Sequence, residues 1–461
     1  MKYIGIDIGS TFLKSTLIDT EKLSVSMIKK VRSPRKNPNN DIYKFEVYAD
    51  LYLEIVKNLI DDYTEIFDDI EGVLISTQMH GYVYVEPYSD EPNKYISWQD
   101  TRCLEIDDES GLSFMDDLIN MVPQSMMIKN GVPIKPSLAL CNLYTQMRTE
   151  KLPRNGELFT LGSYIINGLT ENNICHPTNA GPLGIFNINE YNWNHELLEF
   201  LEMEDILLPK ISREEFFPCG QYYSNGTLLK IFPDYGDQQV SILGAMPKNS
   251  DCIINIATGS QVSIVTSELS TDTKYETRPY FGNSYLKTIS NMPSGRGLDV
   301  FIHLIQNIIG QFTDTESSTA DIWNTIQETV TDNSEGLEVD MSIFSTPDSL
   351  DGGHGKISNI NSDNLTVPNL FHAAFSDMAK KYKSYLLKIV DEEDIHQIIC
   401  AGGVSWKNDK LIQIIRDTFS VPTKLSPVED EALSGLLRLA LLCSDYVQTI
   451  EETYQFKIEI Q

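Results

Sequence analysis

The feature that most constrains this chain is a motif that occurs twice. Near the N-terminus, YIGIDIGSTFLKSTLID (Tyr3–Asp19) runs one β-rich segment, Tyr3–Ile8, through a Gly9-Ser10-Thr11 turn into a second, Leu13–Ile18. In the second half of the chain CIINIATGSQVSIVTS (Cys252–Ser267) does the same through a Thr258-Gly259-Ser260 turn. A chain of 461 residues is too long for one core and predicts two or three domains. An internal echo of this kind predicts two related halves, each with a small hydroxyl-bearing hairpin, the two hairpins facing one another across a cleft.

Between and beyond the hairpins, helical and strand periodicities alternate. Tyr48–Phe67 carries apolar residues at helical spacing and leads into a buried strand over Glu71–Ser76. Trp193–Leu201 and Leu370–Val390 also read as helices, as does the apolar Glu429–Leu442. Gln397–Cys400 reads as a strand, followed by a Gly402-Gly403 turn and an amphipathic helix over Leu411–Phe419. Residues 331–369, rich in Ser, Asp, Asn and Gly, read as loops, and His354 between glycines as an exposed turn residue. The order is that of an α/β protein. Neither G-x-G-x-x-G nor G-x-x-x-x-G-K-[ST] occurs, so the familiar dinucleotide and P-loop readings lack support.

Charge narrows the choice of partner. Lys plus Arg number 36 against 66 Asp plus Glu, a formal net charge of −30. Such a chain repels nucleic acid and anionic lipid, and a phosphorylated ligand needs a locally built site of backbone N–H groups, a few cations or a metal. Seven dispersed cysteines without a C-x-x-C pair indicate neither a disulfide framework nor a zinc site. No secretory segment opens the chain and no apolar stretch approaches the ~20 residues of a membrane helix, so a cytoplasmic protein is expected.

Four stretches carry candidate chemistry. Asp7 lies within a β-rich run, where Asp is disfavoured, beside a glycine that admits a ligand; a cation is its natural partner, a solvated strand-end Asp the plainer reading. STQMHGYVYVEP brings Gln78 and His80 to the end of a strand, where buried polar groups need hydrogen-bond partners that a sugar's hydroxyls provide; a structural His is the alternative. YISWQDTRC gathers Trp98, Gln99, Asp100 and Arg102, an apolar face beside paired acceptors, as a polyol requires; a surface Asp–Arg pair is the alternative. In PDYGDQQVSILGAM, Asp237 falls at a helix N-terminus, either as a cap or as a general base toward a hydroxyl.

Taken in order, GIDIGSTFLK, QMHG, WQDTR, GDQQ, IATGS, CAGGVSWKNDKL and EDEAL resemble the FGGY family of carbohydrate kinases over nearly the whole chain, with the members acting on sedoheptulose and xylulose the most similar. The resemblance implies two actin-like ATPase domains of the ribonuclease H-like α/β type, residues 1–244 and 245–461, with an interdomain cleft. It implies ATP and Mg2+ as cofactors and phosphorylation of the terminal primary hydroxyl of a ketose, sedoheptulose foremost, with xylulose or another pentulose or polyol as the alternative. By matching position, Asp237 is the catalytic base and Asp7 the Mg2+-facing carboxylate. Gly9, Ser10, Thr11 and Lys14 belong to the first phosphate hairpin, and Thr258, Gly259 and Ser260 to the second. Gly402, Gly403 and Asn408 match the adenosine turn. Gln78, Met79, His80 and Asp100 match the sugar pocket, with Trp98 and Gln99 adjacent.

Four departures stand out: DGGHGKIS in place of a G-E-R-x-P element, Ala257 where glycine is usual, AGGVS at the adenosine turn, and Thr101 where glycine is common. The expected partners are a small sugar and ATP, without nucleic acid or membrane, in a monomer or homodimer. A non-catalytic sugar or nucleotide sensor and an actin-like assembly protein are the alternatives of other classes.

Overall fold

A computed structural model describes residues 1–37, 43–248, 250–313, 318–344, 346–348 and 353–461. The chain forms two compact units. Unit one comprises residues 1–246, 267–286 and 431–461; unit two comprises 247–266 and 287–430. The main boundary falls two residues beyond the expected end of the first domain at 244. The expected span 245–461 is interrupted, because 267–286 and 431–461 pack with unit one.

Unit one is built on a seven-stranded sheet in the order Gly220–Ser224, Thr227–Gly236, Ile70–Thr77, Lys2–Ile8, Phe12–Asp19, Ser24–Arg32, Glu459–Ile460. Lys2–Ile8 lies at its centre, antiparallel to Phe12–Asp19 and parallel to Ile70–Thr77, which in turn runs parallel to Thr227–Gly236. That placement explains its composition: Ile4, Ile6 and Ile8 are fully buried, as a strand covered on both faces requires. The helix Ala49–Thr64 buries Tyr52, Val56, Ile60 and Tyr63 in the same core. Glu431–Cys443 packs on Asp237–Ala245 at very close range. A Cβ on Gly435 would lie 2.0 Å from the Val240 carbonyl, and one on Gly244 1.9 Å from that of Glu431, so only glycine permits the crossing.

Unit two repeats the local plan. Its strands run in the order Tyr285–Met292, Ser260–Thr266, Asp251–Ile256, Gln397–Ala401, Thr423–Leu425. Asp251–Ile256 is antiparallel to Ser260–Thr266 and parallel to Gln397–Ala401, the arrangement of Lys2–Ile8 in unit one. The helix Val367–Leu386 buries Phe371, Phe375, Met378, Tyr382 and Leu386, the spacing expected from sequence.

Two expectations need correction. The helix expected over Trp193–Leu201 spans His195–Phe200: Asn194 caps it, accepting from the Leu197 N–H at 3.2 Å, and Trp193 belongs to a short strand with its Nε1–H donated to the Pro209 carbonyl at 2.7 Å. The expected loop region 331–369 contains an antiparallel pair, Glu338–Asp340 with Lys356–Ser358, and the start of the Val367–Leu386 helix. Of the DGGHGKIS stretch, residues 351 and 352 lie outside the described residues; His354 is exposed. Among the described residues no helix is long and apolar enough to cross a membrane.

Candidate active site

In unit one the candidate residues gather at the C-terminal ends of three adjacent parallel strands, the usual ligand edge of an α/β sheet. Lys2–Ile8 ends in the Gly9-Ser10-Thr11 turn, Ile70–Thr77 in Gln78-Met79-His80, and Thr227–Gly236 in the helix that starts at Asp237. Register aligns them: Asp7 lies opposite Ser76, Ile8 opposite Thr77, and Thr77 opposite Gly236.

Asp7 is half-buried and its Oδ1 accepts from the Ser76 hydroxyl at 2.7 Å. Lys14 pairs with it across the hairpin, which places a cation on the same face of the sheet. The turn itself is exposed at Ser10 and Thr11 and is braced by Ser33, whose hydroxyl donates to the Gly9 carbonyl at 2.7 Å.

Asp237 is the first residue of its helix, where the dipole favours negative charge. The Gln238 N–H donates to its Oδ1 at 2.7 Å. Burial, and then the nearby Asp7 carboxylate, push its carboxyl up to about 7, against the lowering effect of that N–H and of Arg278. A base poised there suits proton abstraction at neutral pH.

The sugar-turn candidates are held under constraint. His80 sits in the left-handed region at φ +68°, a conformation that costs a non-glycine residue ~1–2 kcal/mol and recurs at functional sites. Gln78 is buried, its Nε2 donating to Tyr52 Oη at 3.4 Å, and its Oε1 has no partner among the described residues. A buried acceptor without a donor is an opening for a ligand hydroxyl. Met79 is buried against the Gly236 backbone.

Other candidates are committed elsewhere. Asp100 is fully buried and no surface residue: its Oδ1 accepts from the Arg102 N–H and Nε, and its Oδ2 from the Phe45 N–H and Arg102 Nη2. Arg102 also bonds Glu46 and Glu150. Four donors fill the acceptor capacity of a carboxylate, so Asp100 ties the scaffold together. Trp98 is half-buried and Gln99 exposed, in the turn after the Lys94–Ile96 strand.

In unit two the turns again follow adjacent parallel strands. Thr258 and Gly259 are exposed, and the Ala257 N–H donates to the Gly259 carbonyl at 3.0 Å. Ser294 at the N-terminus of the Gly295–Phe312 helix braces them, its hydroxyl donating to the Thr258 carbonyl at 2.6 Å. Ser260 is buried and accepts from the Tyr382 hydroxyl at 3.3 Å. Gly402 has φ +86°, and a Cβ there would lie 2.3 Å from Asn255 Oδ1. Gly403 opens onto free space and starts a short helix. Asn408 is buried between two helices, its Nδ2 donating to the Val404 carbonyl at 2.9 Å and its Oδ1 accepting from Gln327.

The structure adds residues that sequence reasoning missed. Asp234, three positions before Asp237, is fully buried and accepts from the Thr160 hydroxyl at 2.6 Å, the His176 N–H at 2.6 Å and Asn179 Nδ2 at 3.1 Å. Burial pushes its carboxyl up to about 7. Asn179 also donates to the Thr77 hydroxyl at 3.0 Å, fastening two of the site strands together. On the Glu276–Pro279 strand Arg278 reaches both His80 and Gln238. The acidic Asp234 was visible in PDYGD; nothing local marks Arg278, whose partners lie far away in sequence.

Residues 2–221 match the model of the FGGY family of carbohydrate kinases, N-terminal domain. The chain is 22% identical to human sedoheptulokinase over 80% of its length and 80% of that protein. It is 26% identical to xylulose kinase of Staphylococcus xylosus over 45% of its length and 42% of that protein. Among solved structures, ligand-bound xylulose kinase from Lactobacillus acidophilus superposes with a TM-score of 0.82 over 99% of this chain and 92% of that one, at 20% identity. Two α/β units of this build are thus the fold of the FGGY kinases.

Proposed function

We propose that this chain, whose residues 2–221 match the N-terminal domain of the FGGY family of carbohydrate kinases, transfers the γ-phosphoryl group of ATP to the terminal primary hydroxyl of a ketose, sedoheptulose foremost. The observation that carries this reading is Asp237: a carboxyl raised to about 7 at a helix N-terminus, on the same sheet edge as Asp7 and the Gln78–His80 turn. Sedoheptulose is preferred over xylulose on sequence alone: the sequence likeness to human sedoheptulokinase extends over 80% of the chain and that to the Staphylococcus xylosus xylulose kinase over 45%, while the fold is shared with xylulose kinase throughout.

Phosphoryl transfer asks a protein mainly for position and charge neutralisation. Asp237 accepts the proton of the attacking hydroxyl at its carboxylate. Gln78 Oε1, buried without a donor among the described residues, takes a sugar hydroxyl. The exposed turn residues Ser10 and Thr11 in one hairpin and Thr258 and Gly259 in the other offer backbone N–H groups to phosphate, and Lys14 adds a cation in an acidic chain. Among the described residues no cluster of three metal-ligating side chains occurs. One carboxylate, Asp7, suits Mg2+, which keeps its waters and binds through one or two carboxylates plus substrate phosphates. When bound, the ion neutralises charge on the transferring group.

Purified protein with Mg-ATP and a panel of heptuloses, pentuloses and polyols tests this. ADP release that requires sedoheptulose and is abolished in Asp237→Ala is expected. Tight ATP and sugar binding by calorimetry with no turnover on any panel member would refute the kinase reading in favour of a sensor. Turnover restricted to a pentulose would refute the choice of sugar alone.

A further inference from the structure

The Glu276–Pro279 strand brings to unit one a buried ionic chain. Arg278, 2% exposed, donates from Nε and Nη2 to Glu276 Oε2, and Glu276 Oε1 accepts from Lys135 Nζ at 2.7 Å. Two further guanidinium bonds leave this chain. Nη2 donates to His80 Nε2 at 3.0 Å, and Nη1 donates to Gln238 Oε1. His80 ends the sugar turn, and Gln238 follows Asp237 in the first turn of its helix. One rigid planar group therefore fixes two site segments that are distant in sequence.

The chemistry of each partner makes the contact directional. A guanidinium only donates, so His80 Nε2 accepts, and the neutral ring carries its proton on Nδ1. Burial and the positive charges of Lys135 and Arg278 hold the imidazole well below its usual value, hence neutral. Gln238 is likewise held by its oxygen, which settles which end of the amide is the donor. Glu276 stays ionised because two cations share it, its carboxyl held well below the usual range. The charged groups around His80 and Asp237 are Lys135 from the loop before the Ala139–Thr149 helix, Glu276 and Arg278 from their strand, and Asp7 from the first strand.

We propose that Arg278 is a positioning residue for the sugar: by donating to His80 and Gln238 together it fixes the His80 tautomer and the Gln238 amide, and so sets the sugar turn against the first turn of the Asp237 helix. This rests on the reading that those two segments bind the ketose.

The test uses Arg278→Gln, which cannot carry charge, and Arg278→Lys, which keeps the charge but not the two-armed fork. Kinetics with Mg-ATP and the ketose are combined with nitrogen NMR of 15N-histidine protein, whose seven histidines are few enough for His80→Gln to assign the His80 signals. For Arg278→Gln the ketose KM rises roughly 10- to 100-fold, the scale of lost charge-assisted bonds, while the ATP KM stays within about twofold. The His80 signals shift from the Nδ1–H tautomer to a mixture. Arg278→Lys leaves the tautomer mixed and recovers only part of the KM. The Arg278→Gln/His80→Gln double variant is no worse than the poorer single one.

The proposal is overturned if Arg278→Gln keeps both the tautomer and the ketose KM. It is equally overturned if kcat and both KM values deteriorate together with thermal stability, the mark of a purely structural pillar. Should Arg278→Gln fail to fold, an unchanged tautomer and ketose KM in Arg278→Lys overturn it. If His80→Gln itself leaves the ketose KM unaltered, the reading of the sugar turn falls and the proposal with it. A His80→Gln effect beside a silent Arg278→Gln removes the proposal alone.

Discussion

The two hairpins share a build and differ in charge. In unit one the first strand of the hairpin carries Asp7, and Lys14 lies opposite it across the ladder. In unit two the matching positions are Asn255 and Gln261. Both hairpins end in an exposed small-residue turn, and in both units a second parallel strand supplies the next site segment. The backbone plan is therefore shared by both halves, while the facing pair next to the turn is charged in unit one, Asp7 with Lys14, and a pair of amides in unit two, Asn255 with Gln261. A neutral cradle suits a phosphate chain, whose charge a carboxylate would repel; acid–base work and metal binding need the charged one.

The largest predicted break in this comparison is Asp237→Asn. It removes the base and lowers kcat by roughly 10²–10⁴-fold with ATP binding intact, measured by steady-state assay and calorimetry. The same carboxyl shapes the pH response. kcat/KM rises with pH through an apparent value near 7, about tenfold per pH unit below it, because the base must be ionised. Asp234 and Asp237 both titrate at about 7 in the fold against an ordinary 3.8. The folded state then holds extra protons between those values, so stability falls as pH rises through that window; chemical denaturation at a series of pH values measures it.

Next in size, Asp7→Asn gives the first hairpin the character of the second. Its Mg2+ requirement rises and activity falls ~10- to 100-fold, read from a Mg2+ titration at fixed ATP. The reciprocal Asn255→Asp places a carboxylate at the neutral edge and raises the ATP KM about fivefold, for a solvent-screened repulsion of roughly 1 kcal/mol. An unchanged KM would mean that the second hairpin does not meet phosphate. The smallest contrast is between glycines. Gly402→Ala strains a φ of +86° and crowds Asn255, costing ~1–2 kcal/mol or more of stability in a denaturant melt. Gly259→Ala meets nothing within 4 Å and leaves the melt unchanged, so any loss of ATP affinity there reports lost close approach by the ligand.

Much of this was legible in advance, for identifiable reasons. Ile4, Ile6 and Ile8 around Asp7 already announce a buried strand with one misplaced carboxylate, since a core position tolerates a charge only when something compensates it. The Thr258-Gly259 turn between two strands and the Gly402-Gly403 turn between a strand and a helix were equally plain, because small residues at such junctions mark a change of chain direction. Asp100 shows the opposite. WQDTR reads as a ligand-binding cluster, yet Arg102, two residues on, and Phe45 use all of its acceptors. Ser260 and Asn408 were likewise recognisable as positions and not as contacts, since Tyr382 and Gln327 come from other parts of the fold.

By itself, then, the sequence determined what is local and periodic: two strand–turn–strand repeats, the helices that cover them, and the residue types at their turns. Those follow from steric limits and from apolar spacing, both properties of neighbouring residues. Only the tertiary structure decided which polar side chains remain available to a ligand. It sent 267–286 and 431–461 back to unit one and joined Arg278 to His80 and Gln238. The physical reason is that hydrogen-bond capacity and desolvation belong to the packed environment, where one partner brought from far along the chain turns a candidate ligand group into a satisfied structural one.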